Sequence, residues 1–345
     1  MQIAPRPGEA FLLLLGVSVS LALAEGAVRF AGAGDPRPTG YAPVNTRRPD
    51  TGWTNSLGYR DNEHPLVKPP GLRRALVLGD SFTWGARIEF DDAYPRRLER
   101  GLARHRGESW EVISLARSGM NTVEEGEQLA SEGLAYDPDV VVLGYCLNDS
   151  EDENAAEVRR ARDWEEMRKE RRSGSDGLWD RSALFRLLKR RVWATVENRR
   201  RIAAYRSMYV PDYPGWIAGQ KALRTMAELC RARKVPFLVM IFPLFGNALD
   251  EGYPFSAIHA AVARAAAEAG AGVVDLLPAY RGLKWELLVV DGPNDEHPNE
   301  IAHRIAADVL LSALDDALPP PARRASPAAG SGSPTRPRPS PAGIP

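Results

Sequence analysis

Ala75-Leu76-Val77-Leu78-Gly79-Asp80-Ser81-Phe82-Thr83 is the stretch on which the fold turns. Four apolar residues closed by glycine predict a short strand covered on both faces. The Gly-Asp-Ser that follows puts a hydroxyl on the turn leaving the strand, ahead of a helical pattern at Tyr94, Leu98 and Leu102. Taken alone, a serine in that position reads as a helix cap.

Outward from this stretch the alternation repeats. Strands are predicted over Trp110 to Ala116, Val140 to Tyr145, Val235 to Phe242 and Gly272 to Leu277. Helices are predicted from Thr122 to Ala135, from Ile258 to Ala269, and from an Asn299 cap to about Leu314. Five buried strands alternating with helices predict a parallel sheet in a three-layer α/β/α sandwich with right-handed crossovers. In such sheets the chemistry collects at the carboxyl ends of the strands.

Composition excludes several classes. With 345 residues, 44% of them apolar, and 45 Lys+Arg against 45 Asp+Glu, the chain is not a disordered protein, a polytopic membrane protein or a disulfide scaffold. Zero net charge argues against a nucleic-acid partner. Cys146 and Cys230 lie in no Cys/His cluster, so no structural metal is expected, and no cofactor motif is present. Asp149 and Asp152 have no spaced partner set for a metal.

The ends differ from the middle. Ala10 to Ala24 is an uninterrupted apolar run, with Ala22-Leu23-Ala24 as an A-x-A cleavage pattern. Extended to Val28 it admits only Glu25 and reaches bilayer-spanning length, so residues 1–28 read as a signal peptide or as a membrane anchor. Residues 29–71 are an extended lead-in, and 72–318 the folded domain. Pro319 to Pro345 holds nine prolines in 27 residues and reads as a disordered tail.

Within the domain, residues 151–215 break the rhythm as a helical insertion. Glu151 to Arg206 carries 16 Lys+Arg against 11 Asp+Glu, and from Arg181 to Arg206 the balance is nine basic to one acidic. Leu184, Phe185, Leu187, Leu188, Val192, Trp193 and Val196 fit an amphipathic basic helix. It reads as a solvated cover whose Arg stems pack on the body, or as a binding surface roofing the strand ends.

Three further features complete a site. The second strand runs into Ser118-Gly119-Met120-Asn121, the third ends Gly144-Tyr145-Cys146-Leu147-Asn148-Asp149, and Asp295-Glu296-His297-Pro298-Asn299 precedes the last helix. Together they supply a nucleophile, two oxyanion donors and a base at one sheet edge.

These four blocks, in this order, resemble the SGNH (GDSL-type) hydrolases over roughly residues 72 to 318, and Asn55 to Asp61 is similar to the lead-in of exported bacterial members. The resemblance implies a flavodoxin-like sandwich with Ser81 as nucleophile and His297 as general base. It also implies an oxyanion hole of the Ser81 and Gly119 N–H groups with the Asn148 amide. The commonest family spacing, D-x-x-H, would put the third triad member at position 294, which is Asn; Asp295 stands two before His297 instead. That D-x-H spacing resembles exported, polysaccharide-modifying relatives and makes Asp295 the expected carboxylate, with Asp291 second and a Ser/His dyad third. Asp80 is expected to hold its turn, Cys146 to be a small core residue, and His303 to be packed or solvated.

The implied protein is an exported serine esterase, periplasmic or extracellular, acting on small O-acyl groups of a carbohydrate or cell-envelope glycan. A lipid esterase, an O-acyltransferase with the same triad and a non-catalytic binding module are the other readings. Oligomeric state is not legible.

Overall fold

A computed structural model describes residues 7–32, 53–152, 181–290 and 296–320. The calls on the Pro-rich tail beyond 320, most of the lead-in and the first part of the insertion lie outside these residues.

Five strands form one sheet: β1 Leu72–Gly79, β2 Ser109–Ser114, β3 Val140–Tyr145, β4 Phe237–Ile241 and β5 Gly272–Asp275. Their order is β2-β1-β3-β4-β5, and every pairing is parallel. The chain steps outward from β1 in one direction to β2 and in the other to β3, so a topological switch point opens between the carboxyl ends of β1 and β3. The expected sandwich is present.

Helices cover both faces. On one lie α3 (Tyr94–Arg106) and the final α9 (Glu300–Ala317), packed on each other; on the other, α4 (Thr122–Ser131) packs on α6 (Pro214–Ala232), and α6 on α7 (Ser256–Ala269). With both faces covered, Ala75 to Leu78 and Val140 to Leu143 are all fully buried. This is why their sequences show no alternation. Leu98 and Leu102 of α3 are equally buried, and truncating either to Ala would cost roughly 2–5 kcal/mol. The remaining helices among the described residues are the N-terminal α1 (Pro7–Phe30), two single turns, α2 (Ser81–Trp84) and α8 (Leu277–Tyr280), and the basic α5 (Ala183–Ser207), which α1 contacts.

Three details depart from the sequence expectation. The helix expected to reach Ala135 stops at Ser131 and gives way to a 3-10 turn, Gly133–Tyr136. A Cβ on Gly133 would come within 2.7 Å of the Leu76 side chain on β1, so the chain dips onto the sheet and any larger residue there would displace Leu76. The β3–β4 crossover also contains α6, a helix absent from the sequence expectation, although its buried Trp216, Leu223, Met226, Ala227 and Cys230 carry the helical period. Finally, the lead-in is part of the fold at its end. Tyr59, Arg60 and Asp61 are buried; Arg60 donates to the carbonyls of Trp84, Gly85 and Ile88, and Asp61 accepts from Ser114 N–H and pairs with Arg96 at 3.1 Å.

Candidate active site

The site begins with two glycines. Gly79 and Gly144 are register partners across β1 and β3. A Cβ on Gly79 would meet Thr83 Oγ1 at 2.1 Å, and one on Gly144 would meet the same oxygen at 2.3 Å and Tyr94 Oη at 2.6 Å. Their bareness lets Thr83 and Tyr94, themselves 3.0 Å apart, tuck beneath the first turn of α2. Gly79 also takes φ = +152°, a value L-side chains rarely adopt. The turn after β1 is thereby forced tight, with Ser81 at its apex.

Asp80 holds that turn, as expected. It is the N-cap of α2, and its Oδ1 accepts from Phe82 N–H at 2.8 Å. Its Oδ2 accepts from the Asn148 side-chain amide at 3.2 Å and lies 3.4 Å from Ser81 Oγ. Asp80 is fully buried, and that burial raises its pKa above the usual carboxylate value despite these bonds. The Asn148 amide from the end of β3 thus meets the serine turn from the end of β1 at the switch point.

Gly119 occupies the matching position beyond β2. Arg117 N–H bonds Gly79 O at 3.1 Å, so Gly119 lies two residues past this pairing as Ser81 does on β1. Gly119 has φ = +81°, and a Cβ there would meet open space. Asn121, two residues on, closes the loop by capping α4 in a reciprocal box with Glu124.

His297 arrives from the far end of the chain. Its Nε2 lies 3.0 Å from Ser81 Oγ, across 216 residues of sequence, and its ring packs 5.6 Å from the Phe82 ring. The loop carrying it is stapled at both ends: Val290 N–H donates to His297 O, and Asn299 N–H to Leu288 O. Asn299 does more than cap α9. Its Nδ2 donates to Leu287 O and Val289 O while its Oδ1 accepts from Ile301 and Ala302 N–H. Asp291, Asn294 and Asp295 lie outside the described residues, so the carboxylate call falls there.

Sequence reasoning missed one contact to this loop. Glu296, beside His297, bonds Arg201 of α5, and Arg201 also donates to Asn198 Oδ1 at 3.0 Å. Gly246, beyond β4, has φ = +90°, and a Cβ there would meet Glu296 Oε1 at 2.1 Å. The basic helix therefore touches the histidine loop.

Below the site lies a buried polar layer. Asp149 Oδ2 accepts from Cys146 N–H at 3.0 Å, and Thr122 N–H meets Asp149 O at 3.4 Å. Asp149 and the buried Glu125 are both held well above the usual carboxylate pKa, chiefly by burial; the next cause is the Glu125 charge for Asp149 and the Asp80 charge for Glu125. Burial likewise pushes the Cys146 thiol well up, which suits a core residue and not a nucleophile. His303 on α9 is buried, accepts Tyr94 N–H at Nδ1 (3.1 Å) and stacks on the Tyr94 ring. Burial lowers its pKa to about 3, helped by the nearby charges of Arg97, Arg60 and His297. Among the described residues no group of three or more His, Cys, Asp or Glu is placed to hold a metal.

A parallel sandwich that sets a serine on the turn after β1 and a histidine 3.0 Å from its hydroxyl has the arrangement of a serine-dependent hydrolase. The chain belongs to the GDSL-like lipase/acylhydrolase family, which matches residues 77–305, and is a carboxylic ester hydrolase. No curated protein matches its sequence. Similar solved structures include TesA (18% identity, TM-score 0.43, covering 71% of this chain and 100% of that one). Others are the acetyl xylan esterase AlAXEase (16%, TM-score 0.42, 70% and 99%) and a catalytic mutant of Axe2, an acetylxylan esterase from Geobacillus stearothermophilus (15%, TM-score 0.43, 70% and 93%).

Proposed function

We propose that Ser81 is the nucleophile of an exported esterase that removes small O-acyl groups from a carbohydrate, most suitably a cell-envelope glycan. His297 accepts the Ser81 proton as Oγ attacks the ester carbonyl, then returns it to the leaving alcohol. The N–H groups of Ser81 and Gly119, with Asn148 Nδ2, receive the oxyanion. Asp295 orients the imidazole and stabilises its charged form. Water repeats the sequence to release the acid.

The 3.0 Å approach of His297 Nε2 to Ser81 Oγ carries this reading, since it is the contact through which the proton moves. The acyl and glycan preference rests on the resemblance of the D-x-H spacing to polysaccharide-modifying relatives. Export and tethering rest on α1, whose Phe11–Phe30 stretch is long and apolar enough to cross a membrane.

Hydrolysis of aryl esters of increasing chain length by the detergent-solubilised chain tests the substrate class. A two-carbon optimum is expected. Rates peaking at long acyl chains would replace the reading with a lipid esterase, which the exposed apolar side chains of α5 favour. No turnover of any ester by folded protein would overturn the site assignment.

A further inference from the structure

The contact between α1 and α5 is specific. Glu25, near the end of α1, accepts from the backbone N–H groups of Ala183 and Leu184 and from Ser182 Oγ, each at 2.8 Å. Arg29 bonds Glu25 at 2.7 Å and the Arg181 carbonyl at 2.7 Å. The first-turn donors of α5 and the carbonyl just before it are thus held by two charged side chains of α1. The end of the apolar helix is fastened to the start of the basic one.

Beyond that joint α5 changes character along its length. Its last turns are built into the body: Ile202 and Tyr205 pack against the core, and Arg201 reaches Glu296. Along its first half Ala183 is buried, but several of the described apolar side chains are exposed. Phe185, Leu188, Val192 and Val196, spaced by three, four and four residues, form one stripe, and they are 38%, 54%, 61% and 38% exposed. Burying them is what folding normally does with such a stripe, so an exposed one calls for a second apolar phase.

Two observations say which. The stripe starts at the place where α1, with no part of its Phe11–Phe30 stretch buried, ends. A bilayer that accepts α1 is therefore already at the first turn of α5. The stripe is also flanked by Arg186, Lys189 and Arg191, in a segment with nine basic residues and one acidic. Anionic phosphates complement that charge, whereas a second copy would bring the same cations against it.

We propose that the first half of α5, Ala183 to Val196, is an interfacial helix lying on the anionic lipid surface that α1 crosses. Phe185, Leu188, Val192 and Val196 enter the acyl boundary, and Arg186, Lys189 and Arg191 meet lipid phosphates. The proposal rests on reading α1 as a retained anchor, and it deepens the proposed function. Sixteen residues of helix separate Phe185 from Arg201, roughly 24 Å at 1.5 Å each, so α5 lying flat holds the His297 loop beside the headgroups. Acylated substrate is then taken from the membrane face of the envelope.

The test uses the full chain in vesicles of phosphatidylcholine alone or with about one-third phosphatidylglycerol. Environment-sensitive fluorophores are placed at Leu188→Cys, Val192→Cys and, as a solvent reference, Ser131→Cys; native Cys146 and Cys230 are buried. With anionic vesicles the labels at 188 and 192 should shift blue and be quenched by shallow nitroxide lipids, and the label at 131 should not. The combined Arg186→Glu, Lys189→Glu and Arg191→Glu variant should lose that quenching while remaining in the vesicle pellet and hydrolysing a small aryl ester normally. Labels at 188 and 192 as wet as 131 in pelleted vesicles would overturn the interfacial helix and leave the anchor standing. A chain that stays in the supernatant would overturn the anchor itself, and the interfacial helix with it. A blue shift without lipid quenching, at doubled molecular mass, would assign the stripe to a second copy and also overturn the proposal.

Discussion

Asn148 Nδ2 donates to Asp80 Oδ2 at 3.2 Å, tying the end of β3 to the turn that carries Ser81. An oxyanion donor must be fixed before charge develops on the substrate, because reorganising it during the reaction would forfeit its benefit. The Asp80 carboxylate fixes this one. Asn148→Ala should therefore lower kcat by about 10²–10³ with little change in KM, the signature of a contact made mainly in the transition state. An unchanged kcat would remove Asn148 from the oxyanion hole.

Ser81→Ala should fold and lose hydrolysis, since the proton path from Oγ to His297 Nε2 disappears with the hydroxyl. Labelling by a fluorophosphonate should go with it. Wild-type turnover by the variant would refute the assignment of the site.

Asp295→Asn should reduce turnover by orders of magnitude, on the order of 10⁴ where a triad carboxylate has been replaced in serine proteases. Asn294→Ala should do far less. If the two effects are reversed in size, Asp295 is a loop residue and the orienting group lies elsewhere.

Arg201→Ala should release Glu296 and the loop next to it. Both partners are about one-quarter exposed, so the pair contributes little to stability and the melting temperature should barely move. Turnover should fall instead, by up to about 10²-fold, as a displacement of ~1 Å at His297 would cause. A positioning role also predicts partial recovery in Arg201→Lys. A drop in melting temperature with kcat intact would make Arg201 purely structural.

Acid should destabilise the fold through His303. Its folded pKa of about 3 lies below the unfolded value of 6.5, so the unfolded chain takes up the proton first. The neutral-His contribution is present above pH 6.5 and shrinks as pH falls from there toward 3, by on the order of 1 kcal/mol at pH 5.5 for this one group. Asp80, Glu125 and Asp149 have raised values and act in the opposite sense, so the readout is a difference between proteins. Denaturant midpoints of wild type and His303→Asn should diverge between pH 8 and 5.5, with the wild type losing more. Parallel pH curves would show that His303 does not titrate across folding.

What the sequence could declare by itself was local. Val140 to Leu143 is apolar without alternation because both faces of β3 are covered, and that burial leaves its mark residue by residue. Gly79, Asp80 and Asn299 were equally legible, since a tight turn and two helix caps are settled by neighbours within three residues. The strand order, the 3.0 Å meeting of His297 with Ser81, the grip of Arg201 on Glu296 and the hold of Arg60 on the serine turn were decided only by the tertiary structure. Arg201 and Glu296 stand 95 residues apart, and on a helix with eight basic residues nothing in the local pattern marks which one will find an acidic partner. Periodicity reports which face of an element is buried; the partner across the fold is chosen by how the chain closes its loops, and that choice leaves no period to read.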